Sequence, residues 1–266
     1  MYNEARIGKP GKIVSPAPGI ARRESVTEAM INSSGAARPI DLEIIVCSLD
    51  DALAAYDGGA TRLEVCVGLD QAGLTPPREL VEQILASLPI RLRVMVRERA
   101  AFEISGEAEL DDLKQHAQAF AALSVDGLVV GHTKDGKLHL EALQEIIGAA
   151  PSMRFTVHHA IEETSDPLET LRALQAFPNV DCALVKGGTG TLEERVERLA
   201  AYHQALGDKA TLVMGGNLTI EMLPTLRETT FLRAFHLGRA VRTPEEASGA
   251  VDWRKVRKAR HLALGD

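Results

Sequence analysis

The sequence predicts a single-domain (β/α)8 TIM barrel, and three observations support that fold class. From Asp41 onward, short apolar and β-branched segments alternate with longer segments of helical period. The alternation completes eight units within residues 39–266, which is close to the size such barrels need. Strands that are joined by helices run parallel, and right-handed crossovers leave few topologies. A doubly wound open sheet is the structural alternative, and the count of eight favours the closed barrel.

Eight strands are predicted where apolar and β-branched residues cluster and a glycine or polar residue follows. In chain order they cover residues 42–47, 62–66, 91–97, 127–131, 154–158, 182–186, 211–214 and 233–236. Each cluster has only four to seven residues, which is a strand length rather than a helix length. The short repeated clusters therefore indicate a sheet of parallel strands.

Eight helices are predicted between and after these strands from their apolar period. They cover residues 49–56, 77–88, 109–123, 140–148, 167–177, 192–206, 220–227 and 253–262. Asp50 and Asp51 lie in a first turn, where the helix dipole favours carboxylates. Asp166 followed by Pro167 predicts an N-cap and a first helical residue. Glycines at 58, 59 and 148 predict helix ends.

The first 38 residues differ from the rest of the chain in composition. They mix Gly, Pro, Ser and Ala with little apolar period, and they carry six basic and three acidic side chains. Such a segment buries too little apolar surface to offset the entropy of ordering it. We therefore predict a flexible N-terminal extension over residues 1–38 and the barrel over residues 39–266.

Charge, hydropathy and cysteine content exclude several classes of function. The net charge of −7 argues against a nucleic-acid partner. No apolar run reaches the roughly 18 residues of a membrane span, and no secretory signal is evident, which together predict a cytoplasmic protein without a membrane partner. Three cysteines are too few for a disulfide framework, so free thiols are expected.

Polar side chains at the predicted strand ends define a candidate site. In a (β/α)8 barrel, the functional face lies at the carboxyl ends of the strands. Because polar groups inside a barrel need partners, a ring of them at this face indicates chemistry. The candidate catalytic residues are Glu64, Arg97, His158 and Lys186, with Glu64 or His158 moving a proton and Arg97 or Lys186 stabilising negative charge. A structural ion pair between Glu64 and Arg97 is the alternative.

Glycine-rich turns follow the last two predicted strands. Barrels frequently bind phosphate there through backbone N–H groups. The predicted anion-binding residues are Gly215, Gly216, Asn217, Gly238 and Arg239. The alternative is that these glycines only allow the chain to turn tightly.

Two of the cysteines end neighbouring predicted strands. Cys47 ends the first strand and Cys66 the second, and adjacent strands lie about 4.8 Å apart. Two thiolates at that distance can hold Cu(I), which prefers sulfur. Cysteine also serves as a small apolar core residue. That role is the prediction for Cys182, and both roles remain open for Cys66.

Several segments together resemble the CutC family of copper-homeostasis proteins. Residues 58–66, followed by 72–76, are similar to its GGADRIELC and GGLTPS signatures, residues 94–99 to its M-I-R-P-R strand, 158–162 to H-R-A-F-D, and 235–239 to its closing F-H-x-G-R pattern. The matches occur in family order across the domain. The resemblance implies a cytosolic barrel that forms a homodimer or higher homo-oligomer, is linked to copper tolerance, and binds Cu(I) through cysteine. The family's first-strand cysteine falls at Ile45 here, whereas the second is retained as Cys66.

Three functions follow from these observations. The first is a copper-homeostasis protein that binds Cu(I) through Cys66 and Cys47. The second is an enzyme acting on a small phosphorylated or carboxylated molecule at the barrel mouth. The third is a scaffold whose barrel mouth is closed by side chains. The sequence leaves open whether the protein is an enzyme.

Overall fold

A computed structural model describes residues 40–229 and 231–265, and it confirms the predicted closed barrel. Eight parallel strands follow one another around the barrel in chain order, and the last pairs with the first. They are β1 (Asp41–Val46), β2 (Arg62–Val65), β3 (Arg91–Met95), β4 (Gly127–Val130), β5 (Phe155–Val157), β6 (Val180–Val185), β7 (Thr211–Met214) and β8 (Ala234–Leu237). The predicted extension over residues 1–38 lies outside the described residues.

Within the described residues, eight α-helices surround the strands. They are α1 (Leu49–Asp57), α2 (Arg78–Ser87), α3 (Glu107–Ala121), α4 (Leu140–Ala149), α5 (Pro167–Leu174), α6 (Leu192–Leu206), α7 (Leu223–Glu228) and α8 (Trp253–Leu264). Asp166 caps α5 as expected, because its side chain accepts from the backbone of Glu169. Gly148 does not end α4, which continues to Ala149. Among the described residues, no helix combines the length and the apolar character that crossing a bilayer requires.

Smaller elements in the loops were not predicted. The helix expected over residues 220–227 is divided into a 3-10 turn, Ile220–Met222, and α7. Thr133–Lys134 pairs with Lys137–Leu138, and Arg242–Thr243 pairs with Ala250–Val251, each as a two-stranded antiparallel ladder. Ladders of two residues have no periodicity that a sequence pattern could reveal.

Strand alternation divides the apolar core from the barrel interior. On β1, Leu42, Ile44 and Val46 are buried in the core that also receives the helices. Glu43 and Ile45 lie on the opposite face, towards the barrel axis, and Cys47 continues that face beyond the strand end. The same alternation places Glu64 and Cys66 of the second unit on the inner face. Two neighbouring strands therefore contribute acidic and sulfur groups to one interior.

An ion-pair network lies towards the amino ends of β3–β6. The Arg93 guanidinium donates to Asp126 at 2.9 Å and to both oxygens of Asp181 at 3.0 and 2.6 Å. Gly127 lies opposite Arg93 on the neighbouring strand, where a β-carbon would clash with Nη1 of Arg93 and lie 2.8 Å from its Cζ. A glycine is therefore needed to leave room for the buried guanidinium.

Candidate functional site

Two thiols lie side by side at the carboxyl ends of β1 and β2. The ladder pairs Val46 with Val65, and the Cys66 N–H donates to the Val46 carbonyl at 3.1 Å, so Cys47 and Cys66 are neighbours. The hydrogen bond from Cys66 lowers the pKa of the Cys47 thiol, and Arg242 adds to this against the opposing effect of burial. The same hydrogen bond, together with burial, raises the pKa of Cys66. Cys47 is half-buried and Cys66 is buried, so the pair offers one accessible, acidic sulfur.

Arg242 holds the Cys47 side of this pair in place. One nitrogen, Nη2, lies 3.7 Å from the Cys47 sulfur and donates to the Ile45 carbonyl at 3.1 Å. The same nitrogen lies 2.9 Å from the Asp51 carboxylate, and Nη1 donates to the Gly249 carbonyl at 2.6 Å. Because Arg242 is 2% exposed, its charge is shielded from solvent and helps to lower the pKa of the Cys47 thiol, against the opposing charge of Asp51.

A buried cluster of two carboxylates, an imidazole and a guanidinium occupies the barrel interior on the same side as the two thiols. His236 Nδ1 lies 2.7 Å from Glu43 Oε1 and 4.0 Å from Glu64 Oε2. The second oxygen of Glu43 accepts from Arg62 Nε at 2.5 Å. Glu64 Oε2 has no hydrogen-bond partner among the described residues. We call Glu43, Glu64 and His236 the interior triad.

The two carboxylates of the interior triad differ sharply in acidity. Burial raises the pKa of Glu64 to about 7, and the Glu43 charge acts in the same direction. Burial alone would also raise the pKa of Glu43. The charge of Arg62 and the hydrogen bond with His236 outweigh the effect of burial and hold the pKa of Glu43 well below its ordinary value. For His236, the two carboxylates outweigh burial and raise the pKa. The triad therefore contains one permanent carboxylate and one that titrates near neutral pH.

The opposite side of the mouth is formed by Arg97, Phe102 and His158. The Arg97 guanidinium donates to three carbonyls of the loop after β2 and lies 4.5 Å above the Phe102 ring. Within the part of the chain that the structure describes, Arg97 forms no ion pair with Glu64, so the structural ion pair considered from the sequence is not formed. Arg97 instead joins the β2 and β3 loops.

His158 is enclosed rather than open to the mouth. Its Nδ1 accepts from the Ala160 N–H at 3.2 Å, and its ring meets Phe102 edge-on at 5.5 Å. Burial and the Arg97 charge hold its pKa well below the ordinary value. Its Nε2 has no partner among residues 40–229 and 231–265. A neutral imidazole with a free N–H follows from these contacts, and its catalytic role remains a prediction.

Lys186 follows β6, where an internal carboxylate already occupies the glycine turn. Glu162 accepts from the backbone N–H groups of Lys186 and Gly188, both at 2.6 Å. The Lys186 ammonium lies 3.6 Å from Glu163. Two N–H groups that could receive an outside anion thus bind a side chain of the protein itself, and the ammonium has an acidic neighbour.

The turns after β7 and β8 flank the interior triad. Gly215 packs against the His236 ring, since a β-carbon there would be 3.0 Å from Cδ2. Gly216 and Asn217 have φ values of +66° and +50°, so the chain turns tightly, and Asn217 is exposed. Gly238 lies against Ile45, and Arg239 is exposed. The structure thus places the predicted anion-binding residues at the mouth, and anion binding itself remains a prediction.

Several residues of this site were not predicted. Arg62 lies two residues before Glu64, and Glu43 lies four residues before Cys47, each on the same strand face. Arg242 and Asp51 reach the thiols from outside the barrel strands. A usable signal was present on β1 and β2, where charged residues interrupt otherwise apolar segments at inward positions. No local pattern marks Arg242, because it comes from a loop after β8.

The fold and these groups define a (β/α)8-barrel protein with adjacent thiols and buried acid–base groups at one mouth. The CutC family pattern matches residues 40–241. The chain belongs to the CutC family, whose described role is copper homeostasis. A CutC family protein of Xanthomonas campestris is 32% identical over 196 residues, covering 73% of this chain and 81% of that one.

Two further comparisons agree with this membership. The human copper homeostasis protein cutC homolog is 26% identical over 204 residues, covering 76% of this chain and 74% of its own. The structure of a copper homeostasis protein CutC from Streptococcus agalactiae superposes with a TM-score of 0.69 at 22% identity, covering 75% of this chain and 98% of that one. A phosphoribosylanthranilate isomerase from Thermotoga maritima shares the fold, with a TM-score of 0.56 at 14% identity.

Proposed function

We propose that this chain acts in copper homeostasis by binding Cu(I) between Cys47 and Cys66. The supporting observation is the thiol pair itself, in which a half-buried Cys47 of lowered pKa contacts Cys66 across a parallel ladder. Cu(I) is a soft ion that favours sulfur ligands. The Cys47 sulfur stands one strand step nearer the mouth than Ile45, the position of the family cysteine, and it supplies the first ligand here.

Location and assembly belong to the same proposal. Free thiols persist in reducing compartments, and three free cysteines are present, which supports a cytosolic protein. The family resemblance supports a homodimer or higher homo-oligomer. Light scattering of the purified chain measures the oligomeric state directly.

The Cu(I) proposal predicts a large loss of affinity when both thiols are removed. We expect Cys47→Ser combined with Cys66→Ser to weaken Cu(I) binding by at least about 100-fold, because even changes outside the ligand shell cost about 10–100-fold. The measurement is an anaerobic titration of reduced protein against a Cu(I) chelator of known affinity.

The matched control is Cys182→Ser, which removes a thiol that lies 3.8 Å from Arg62 in the barrel interior. It should leave Cu(I) affinity unchanged. Retention of wild-type affinity by the double variant, or equal loss in the control, would show that the thiol pair is not the copper site.

A second candidate function is an enzyme acting on a small phosphorylated or carboxylated molecule, with the turns after β7 and β8 as its anion site. Arg239 supports it, since its side chain is exposed at the mouth and no ion pair is recorded for it among the described residues. Inorganic phosphate is expected to raise the melting temperature of the wild type, and the effect should be smaller in Arg239→Ala. Arg227→Ala, which changes a partly exposed arginine on α7, should retain the wild-type shift. An equally reduced shift in both variants would indicate unspecific binding.

A further inference from the structure

The interior triad leaves one buried polar atom unexplained. The Glu64 side chain is 3% exposed, yet its Oε2 has no hydrogen-bond partner among the described residues. An unpaired buried carboxylate is costly, so it must take up a proton or lie against a cation. His236 Nδ1 lies 4.0 Å away, beyond hydrogen-bond distance, and Arg62 binds Glu43 through Nε while its own Nη2 has no partner among the described residues. The orphan oxygen therefore points to something that the side chains themselves do not supply.

The geometry of the triad is close to that of a metal site. Glu43, Glu64 and His236 each offer one ligand atom, and these atoms lie within 4.8 Å of one another. A tetrahedral ion with ligands at about 2.0–2.2 Å needs neighbouring ligand atoms about 3.4 Å apart. The two observed distances from His236 Nδ1, 2.7 and 4.0 Å, bracket that value. A shift of the imidazole by about 0.6 Å would make these two distances equal.

The surroundings match the way proteins hold such ions. Ligating carboxylates are themselves hydrogen-bonded from outside the ligand shell, and Arg62 binds the oxygen of Glu43 that faces away from His236. The His236 ring is held on its other side by Gly215. All three side chains are at most 5% exposed, so little rotamer freedom remains to be lost on binding.

We propose that Glu43, Glu64 and His236 form a site for a divalent transition-metal ion such as Zn²⁺, separate from the thiol pair. One nitrogen and two carboxylate oxygens suit Zn²⁺, Fe²⁺ or Mn²⁺ and not Cu(I), which selects sulfur. Glu64 precedes Cys66 by two residues on the same face, so the two sites are roughly 7 Å apart along the strand. Three protein ligands leave one position for water or a small anion, the arrangement of catalytic rather than structural zinc.

Charge balance indicates which fourth ligand the site would accept. A neutral imidazole, two carboxylates, the Arg62 guanidinium and a divalent ion sum to one positive charge, which is costly in a buried site. Hydroxide or a carboxylate would neutralise it. An imidazolium at His236 keeps its Nε2 proton and gives up the Nδ1 proton that it shares with Glu43, and a protonated Glu64 gives up its own, so binding releases protons.

The experiment is done in the Cys47→Ser/Cys66→Ser/Cys182→Ser background, so that no thiol contributes and the result is independent of the Cu(I) proposal. The full chain is stripped with a chelator and titrated with Zn²⁺ by calorimetry in buffers of different ionisation enthalpy. We expect one equivalent to bind with proton release and to raise the melting temperature. Co²⁺ should bind without a sulfur charge-transfer band.

In the same background, Glu64→Gln keeps the size of the side chain and removes one ligand charge. It is expected to weaken Zn²⁺ binding by at least about 100-fold, and Glu43→Gln serves as the second test if the first variant is poorly folded. Glu163→Gln, an exposed carboxylate near the mouth, is the control and should bind as the parent does. Equal binding in the parent and in both Gln variants, or no binding to a folded parent, would overturn the proposal and leave Glu64 as a protonated core residue.

Discussion

Arg93→Met is expected to lower the free energy of unfolding by about 3 kcal/mol, because it breaks a buried ion-pair network by removing only one partner. Arg93 is 1% exposed and Asp126 is 6% exposed, so solvent cannot replace the lost guanidinium at Asp126. Asp181 loses two further hydrogen bonds. Urea unfolding of wild type and variant at neutral pH gives the difference.

Arg91→Met is a close control for that substitution. Arg91 lies two residues earlier on β3 and also pairs with an aspartate, Asp41, but it is 45% exposed. Exposed pairs contribute about 1 kcal/mol or less, so a correspondingly small change is expected. If the two variants unfolded at the same urea concentration, burial of the Arg93 network would not be the source of its stability.

Glu64→Gln is expected to change how stability depends on pH, measured on chelator-treated protein. In the wild type the pKa of Glu64 is raised from 4.5 to about 7 in the folded state. Folding therefore favours the protonated form. Its contribution is fully present below pH 4.5 and is lost as pH rises to about 7. The loss is about 3 kcal/mol, at about 1.4 kcal/mol per pKa unit.

The glutamine variant lacks this titration, so its stability relative to the wild type should rise by that amount between the two pH values. Urea unfolding at pH 4.5 and pH 7 measures the relative change. Glu163→Gln, with a carboxylate that is 47% exposed, should follow the wild-type curve. A constant difference between Glu64→Gln and the wild type at both pH values would mean that folding does not raise the pKa of Glu64.

The elements of the fold could be predicted because their signals are local. The apolar run of β1 and the Asp166 cap of α5 each depend on residues that are only a few positions apart in the sequence. The face shared by Glu64 and Cys66 also follows from a spacing of two. The loop elements differ, because the ladder at Arg242–Thr243 is specified by contacts with Ala250–Val251 and not by a period.

The candidate site was predicted only in part, for a related reason. The sequence placed Glu64, Cys47 and Cys66 at one mouth, since the strand-end rule needs only the order of elements. It also left open an ion pair between Arg97 and Glu64 as an alternative, whereas Arg97 binds loop carbonyls. Which inward side chains meet depends on strand register and on how far each side chain reaches across the barrel. Neither can be inferred from the spacing of residues within a single strand.

From the sequence alone follow the eight parallel units, the family, and the thiols on adjacent strands, because each depends on short-range periodicity or on residue order. Only the closed structure decided that Glu43 meets His236, 193 residues away, and that Arg242 reaches Cys47, 195 residues away. Closure pairs the first strand with the last in one particular register. That register results from packing and hydrogen bonding around the whole barrel, so it brings together charges that no local pattern connects.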